Sequence, residues 1–473
     1  MSEKTDTYGV QTPQVMGNTA WDGLPMPQRV YAVLAIVTGL SLSVLDSSIA
    51  NVSLPTMARE LGVSASDSIW VVNAYQISTI MFLLPFATLG EIISYRRLYL
   101  IGIVLFTLSS LSCALSVSLT MLVLSRVVQG VGAALMMSVN TTLVRLIYPK
   151  RFLGRGLGVN AAVVAVASVA GPSIAGSILA VAQWPWLFAV NVPIGVLGFF
   201  LSRRYLPDNP VKVHNHHFDF VGSVLSVFTF GLMMVTVESL SHGWGCLPTS
   251  VLAFLFIFAA FLFVRNQWHK PFPILPFDLL RIPIFSLSVL TSICSFVAQM
   301  LAMIALPFYL QRTLGYTEVR VGLVMTSWPA VIMVVAPVAG YLVERIHAGV
   351  MGAVGLCVMS CGLFLLAFLP SGVSMSGICL RMVLCGLGFG IFQSPNNSTM
   401  IGSAPQQRSG SASGMLATAR LTGQTVGASL VAFLFFLSPV HGTQSALVLA
   451  GLVAILGATI SGLRLTQKMP RRA

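Results

Sequence analysis

The chain has 473 residues, of which 56% are apolar and only 8% carry a charge. A soluble domain carries about 25% charged residues, so this composition excludes a water-facing surface over most of the chain and points to one that faces lipid; a mean hydropathy of +0.88 agrees. The formal net charge of +13 would suit a nucleic-acid partner, but the placement of the charges argues otherwise.

Residues 1–28 are polar, with Lys4 and Arg29 far apart and no apolar core ahead of the first apolar stretch. They read as a short cytoplasmic tail and not as a signal peptide. A membrane-crossing helix needs about 20 apolar residues. Fourteen stretches qualify, at 30–53, 68–90, 98–117, 119–143, 156–180, 186–202, 218–240, 247–266, 284–310, 320–343, 350–369, 376–399, 408–437 and 443–464. An even number of spans returns the chain to its starting side. With that side the cytoplasm, 20 of the 26 Lys and Arg face it, including Arg96, Arg97, Lys150, Arg151, Arg155, Arg203, Arg204, Lys468, Arg471 and Arg472. Arg59, Arg312 and Arg320 face outward, and Arg126, Arg381 and Arg420 fall within spans. This is the positive-inside bias. It predicts both termini in the cytoplasm and accounts for the net charge with no nucleic-acid partner.

Two polar breaks divide the spans. The stretch 203–217 follows six of them and reads as a linker; His214, His216 and His217 within it read as a solvated loop and not as a metal site. Residues 265–283 form the second break, where Pro271, Pro273, Pro276 and Pro283 interrupt any helix. The expected organisation is a tail (1–28), a six-helix bundle (29–205), a linker with two extra helices (206–270), a second six-helix bundle (271–465) and a tail (466–473). The two sixes look related. Ala87-x-Leu89-x-Glu91 ends span 2 after Pro85, and Gly340-x-Leu342-x-Glu344-Arg345 ends span 10 after Pro337. Internal repeats of this kind are common in secondary transporters. Seven cysteines are present, six of them in apolar stretches, and no disulfide is expected. Cys357 and Cys361 share a helix face without a His or acid, so neither a metal nor a cofactor is expected.

Ionisable groups at membrane depth are costly and are functional candidates by default. The acids well inside spans are Asp46, in span 1, and Glu238, late in span 7. Asp46 borders the face that Ser47 and Asn51 share at four-residue spacing, so it is expected to line a cavity. Burial and neighbouring charge shift a carboxyl's proton affinity in opposite senses, the property a proton-coupled carrier needs. Arg126 in span 4 is its natural partner. At 1.5 Å per residue the two lie roughly 14 and 10 Å from the outer ends of their spans, and Gly130 and Gly132 allow close helix approach. A fixed ion pair would give the same sequence. Glu238, near Ser239 and His242, reads first as a helix-end carboxylate that water reaches, and second as a coupling site. Span 5 carries Gly171-Pro172-Ser173-Ile174-Ala175-Gly176, where proline kinks a helix and the glycines offer a smooth packing face. Polar or aromatic positions on the expected cavity helices are Asn51, Tyr75, Gln299, Phe308, Gln393 and Asn396; simple interhelical packing is an equal reading for each.

Together these residues resemble the major facilitator superfamily, and more narrowly its fourteen-helix drug:proton antiporters of the EmrB/QacA type, from about Leu45 to Arg420. Leu45 to Pro55 is similar to the family's span 1 motif. Arg126, Gln129, Gly130 and Gly132 are similar to the span 4 motif, and Gly171, Pro172 and Gly176 to the antiporter motif of span 5. The run Trp184 to Gly195 is the most specific match, and Ser394-Pro395-Asn396-Asn397 is also similar. The resemblance implies an all-α membrane protein of two six-helix bundles plus two additional helices. It implies multidrug efflux across the cell inner membrane by alternating access, with protons and small molecules as partners. It also implies gating residues at Glu91, Arg96 and Arg97 and, by the repeat, at Glu344 and Arg345. Glu91 is expected to meet the start of span 13 near Arg408 in the outward-open state, and Glu344 the start of span 5 near Gly154 and Arg155. The gating motif departs from the family: Ala87 and Ser94 stand where glycines are usual, and one basic position is lost. Ala167 and Ala175 replace glycines in span 5, and Pro185 an arginine. A carrier of one metabolite, such as an amino acid or organic anion, and a transport-inactive membrane sensor are the competing readings. No Gly-Lys-Ser/Thr loop supports ATP coupling, no catalytic cluster supports an enzyme, and nothing points to an oligomer.

Overall fold

The computed structural model describes residues 22–209, 219–241, 245–268, 270, 277–343, 345–370, 372–404, 409–438 and 441–466. Within them, fourteen helices are long and apolar enough to cross a bilayer. They are α1 (Gln28–Glu60), α2 (Ala65–Gly90), α3 (Tyr95–Ala114), α4 (Leu119–Ile147), α5 (Leu153–Val181), α6 (Trp186–Tyr205), α7 (Phe220–Ser239), α8 (Cys246–Gln267), α9 (Pro283–Thr313), α10 (Glu318–Leu342), α11 (Ala348–Ala367), α12 (Met375–Ser403), α13 (Ser411–Leu437) and α14 (Gly442–Thr466). The expected spans are all present. The largest boundary difference is in α1, which continues past 53 to Glu60 with Pro55 inside it. Proline is tolerated within a membrane helix where neighbours satisfy the freed backbone. Serine caps set several starts. Ser64, Ser118 and Ser374 accept hydrogen bonds from the backbone N–H groups of Asp67, Met121 and Gly377, the usual N-cap arrangement; Ser118 thereby separates α3 from α4.

Helix pairing carries the repeat further than the motifs do. In the first half α3 packs on α4, α2 on α4, α1 on α5 and α6, and α3 on α6. Shifted by eight helices, the same pairs recur: α11 on α12, α10 on α12, α9 on α13 and α14, and α11 on α14. Between the halves α5 meets α10, α2 meets α13 and α1 meets α9. The extra pair stands outside this plan. α7 packs on α8, α2 and α13, whereas α8 turns Phe254, Phe258 and Phe261 outward.

With the near face defined as that where α1 begins, the halves close over the far face. Arg59 pairs with Glu318 at 3.3 Å, Thr56 Oγ1 donates to Gln311 Oε1 at 3.3 Å, and Ser66 Oγ donates to the Ala432 carbonyl at 2.9 Å. Toward the near face Gly154 and Gly158 of α5 border open space.

Candidate functional site

Asp46 and Arg126 meet as an ion pair, each 1% exposed. The pair is the centre of a network spanning five of the six helices of the first half. Arg126 Nε donates to the Val71 carbonyl on α2 at 2.8 Å, and its Nη1 donates to Gln129 Oε1 at 2.6 Å. Gln129 Nε2 donates to Asp46 Oδ1 at 2.9 Å and to Ser110 Oγ on α3 at 2.8 Å. Asn191 Nδ2 on α6 also reaches Asp46 Oδ1, at 2.9 Å. A buried ion pair is costly unless its remaining donors and acceptors are satisfied; here amide side chains and a backbone carbonyl do so. Asn191 lies in the Trp184 to Gly195 run, but nothing in its sequence position says that its side chain turns toward Asp46.

One expectation is corrected. Asp46 does not line the cavity between the halves. That cavity, about 180 Å³, is lined from the first half by Ser43, Ser47, Asn51, Tyr75 and Gln76, and from the second by Gln299, Met303, Trp328, Arg420 and Gln424, among others. Tyr75 stands between: it lines the cavity, while the Arg126 guanidinium lies 4.4 Å from its ring centroid, a cation–π contact. The four-residue face of Ser47 and Asn51 does reach the cavity; Asp46, one position round the helix, turns inward to α4 and α6.

Of the other candidates, Asn51, Tyr75 and Gln299 line this cavity. Phe308 does not; it lines a separate cavity of about 840 Å³ at the far face. Asn396 is buried inside the second half, where its Oδ1 accepts from Arg464 Nη1 at 2.8 Å and its Nδ2 donates to Ser292 Oγ at 3.0 Å. Arg464, at the near-face end of α14, is 0% exposed, held inward by these groups. Gln393 is not among the lining residues.

Glu238 is also corrected. It is fully buried, not wetted at a helix end. Its Oε2 accepts from Asn73 Nδ2 of α2 at 2.8 Å and from Ser429 Oγ of α13 at 2.7 Å. The carboxylate on the extra helix thus touches both halves.

In the span 5 motif the two glycines serve different contacts. A Cβ on Gly171 would lie 2.5 Å from Ser48 of α1, and one on Gly176 would lie 2.6 Å from the Glu318 carbonyl of α10. Pro172 offers its carbonyl to Gly322 of α10 so closely that a Cβ there would lie 2.4 Å away. At the near face Arg96 pairs with Asp208 at 2.9 Å and donates to the Arg203 carbonyl, while Asn209 Oδ1 accepts from the Tyr95 backbone at 3.0 Å. In this conformation the α2–α3 connection is therefore tied to its own half. Ser94 holds φ at 156°, where the resembled motif has glycine, the residue that region favours. Arg97 is exposed, and Arg345 Nη2 donates to Tyr341 Oη at 3.1 Å. Glu344, Arg408, the Glu91 side chain and His214, His216 and His217 lie outside the described residues. Among the described residues no cluster of three or more metal-ligating side chains occurs.

This architecture is that of a major facilitator, and sequence comparison agrees. Residues 36–428 match the model of the Major Facilitator Superfamily, and the chain belongs to that superfamily. It is 52% identical over 450 residues to the uncharacterized transporter YebQ of Escherichia coli (strain K12), covering 95% of this chain and 98% of that protein. It is 30% identical to the riboflavin transporter RibZ of Clostridioides difficile (strain 630), covering 87% and 89%. It is 32% identical to the multidrug resistance protein Stp of Mycobacterium tuberculosis (strain CDC 1551 / Oshkosh), covering 84% and 75%. The protein is a multi-pass membrane transporter.

Proposed function

We propose that the chain is a proton-coupled secondary transporter that exports small molecules by alternating access, working as a monomer in a bacterial inner membrane with the near face cytoplasmic. The charge bias of the connections supports this orientation, and the far-face closure then makes the described conformation inward-facing. The observation that carries the reading is the sealed Asp46–Arg126 pair, a titratable group held away from water and one aromatic ring from the cavity. A proton on Asp46 cancels the pair. Arg126 keeps the Val71 carbonyl, Gln129 and the Tyr75 ring as neighbours, so its cost of separation is moderated. Because the network joins α1, α2, α3, α4 and α6, its rearrangement changes the packing of the first half against the second. Glu238 is a second protonatable group at the same interface. Gating belongs to the α2–α3 and α10–α11 connections, through Glu91, Arg96, Arg97, Glu344 and Arg345. Multidrug breadth is supported by the likeness to a relative named for multidrug resistance; the likeness to one named for riboflavin, and the single cation Arg420 in the cavity lining, support a carrier of narrower range.

The test is reconstitution in liposomes carrying a pH-sensitive dye, with an imposed proton gradient and a panel of lipophilic cations, neutral compounds and anions. Substrate-dependent proton flux is expected in the wild type and at the protein-free baseline in Asp46→Asn. Flux that persists in Asp46→Asn removes Asp46 as the essential carrier and directs attention to Glu238; no flux with any compound overturns proton-coupled export.

A further inference from the structure

Four arginines lie within the membrane helices, and their surroundings differ; Arg381 donates to the Gly377 carbonyl one turn away at 2.8 Å. Arg126 has a carboxylate. Arg464 has the side-chain oxygens of Ser288, Asn396 and Ser461. Arg420, in the lining of the central cavity, has neither an ion pair nor a hydrogen bond among the described residues; its guanidinium lies 5.8 Å from the Phe296 ring centroid. A guanidinium presents five donors and stays charged, and leaving it uncompensated at membrane depth is expensive. The described lining contains no Asp, Glu, Lys or His, so Arg420 is its only charge.

A second observation points the same way. Four polar atoms of the lining are buried without a hydrogen-bond partner: Trp328 Nε1, on a residue 0% exposed, Tyr75 Oη, on a residue 3% exposed and close to the Ser43 and Ser47 hydroxyls, and the amide oxygens of Asn51 and Gln76, whose amide groups also carry N–H donors. The indole N–H can only donate, and the phenol can donate. Buried polar groups of this kind are ordinarily satisfied. The rest of the wall mixes apolar side chains with amides and with the hydroxyls of Ser43, Ser47, Ser48, Thr79 and Ser168; Met300, Met303 and Met325 lie on the side of the second half, with Gln299 and Gln424.

We propose that the central cavity is a site for an amphipathic organic oxyanion, a carboxylate or phosphate on an apolar body. The oxyanion faces the Arg420 guanidinium with Trp328 and Tyr75 as further donors, and the apolar part lies against the methionines. This rests on the reading of the chain as a small-molecule carrier and names its substrate class. It narrows the multidrug range that the family resemblance implies, since the lining offers no acid for a cationic compound. Arg420 is the specificity-determining residue: it supplies the charge that an anion requires and a cation avoids.

The probes are benzoate, phenyl phosphate, benzyl alcohol and benzylammonium, which share a ring and differ in charge. Binding to the purified full chain in lipid nanodiscs is read at equilibrium, without a proton gradient, by the fluorescence of its tryptophans and by calorimetry. Saturable binding of at least one oxyanion is expected, at least about tenfold tighter than benzyl alcohol, the scale of a hydrogen bond to a charged group, with benzylammonium weakest. Arg420→Gln should remove this preference and Arg420→Lys should restore part of it, with melting curves confirming that both variants fold. Benzoate against phenyl phosphate decides between carboxylate and phosphate. Benzylammonium binding as tightly as the oxyanions, oxyanion binding unchanged in folded Arg420→Gln, or no oxyanion binding to folded wild type overturns the proposal. A protein that binds benzoate but moves no protons fails the proton-coupled reading alone; one that exchanges protons for benzylammonium and ignores benzoate fails only this one.

Discussion

The halves touch along two seams that the internal repeat makes equivalent: α5 against α10, and α13 against α2. They are built differently. The α5–α10 seam is backbone against backbone, with Gly176 facing the Glu318 carbonyl and Gly322 the Pro172 carbonyl, and one hydroxyl pair, Ser173 with Thr326 at 2.7 Å. The α2–α13 seam has α7 laid along it. There Met234 of α7 packs with Ile77, Ile80 and Leu83 of α2 and Leu421 of α13, and the Glu238 carboxylate accepts from both flanking helices. One seam is closed by shape and neutral hydroxyl contacts, and the other includes a carboxylate. The extra helices thus make two symmetry-related contacts unlike, and under the proposed proton coupling only one of them, among the described residues, offers a buried group to protonate.

The largest effect should come from spoiling shape. A Cβ at Gly322 would meet a backbone carbonyl, which has no rotamer to move aside. Gly322→Val is expected to reduce transport to less than about a tenth of wild type, the order of an overpacking cost of 1–3 kcal/mol, while sparing the fold of each half. Disulfide formation in an Arg59→Cys/Glu318→Cys pair, which reports far-face closure, should fall with it. Normal transport with unimpaired cross-linking would show that this seam is not backbone-tight in the working protein.

The polar seam should separate charge from packing. Glu238→Gln keeps shape and an acceptor; Glu238→Ala leaves Asn73 and Ser429 short of a partner, at a cost of about 1–3 kcal/mol. If titration matters, Glu238→Gln reduces coupled proton flux severalfold with little change in melting temperature, whereas Glu238→Ala lowers both. Wild-type flux in both variants would reduce α7 to a packing element and erase the functional side of the comparison.

The contrast between the seams also marks what the amino-acid sequence reveals. Membrane helices, the repeat and the Asp46–Arg126 partnership follow from apolar run length, motif position and the high cost of a buried charge, and all three are legible. Side-chain direction is not. Asp46 and Ser47 are neighbours on α1, yet one faces α4 and α6 and the other the cavity. Asn396 and Gln393 sit one turn apart on α12, and neither reaches the cavity. The burial of Glu238 depends on Asn73 and Ser429, which are 165 and 191 positions away, and no local pattern announces such a contact. Arg420 is visible as an arginine within a span; its isolation is not, because that depends on what the six other helices that line the cavity leave empty around it.

The smallest effect concerns how α7 is anchored in its seam from the near face. Asp219, just before α7, pairs with Lys270 beyond α8 at 2.6 Å. It also accepts from Gln267 Nε2 at 2.6 Å and from the Gly222 backbone N–H at 2.8 Å. Burial works against its charge, but Lys270, Gln267 and the Gly222 N–H outweigh it and hold the carboxyl below its ordinary pKa. The sign follows. A carboxyl whose pKa is lower folded than unfolded stabilises the fold above the unfolded value, near about 4, and the gain is lost as pH falls through the folded value. Asp219→Asn keeps the cap on Gly222 and removes the charge, at the loss of the acceptor for Gln267 Nε2; the pH dependence of the difference isolates the charge gain. With the side chains of Asp219 and Lys270 20% and 33% exposed, solvent screening limits the loss to under about 1 kcal/mol at neutral pH. Melting curves of wild type and Asp219→Asn should therefore differ slightly at neutral pH and converge in acid. A gap that is constant with pH would mean that the clamp holds α7 by hydrogen-bond geometry and not by charge, leaving Glu238 as the charge that distinguishes the α2–α13 seam from its twin.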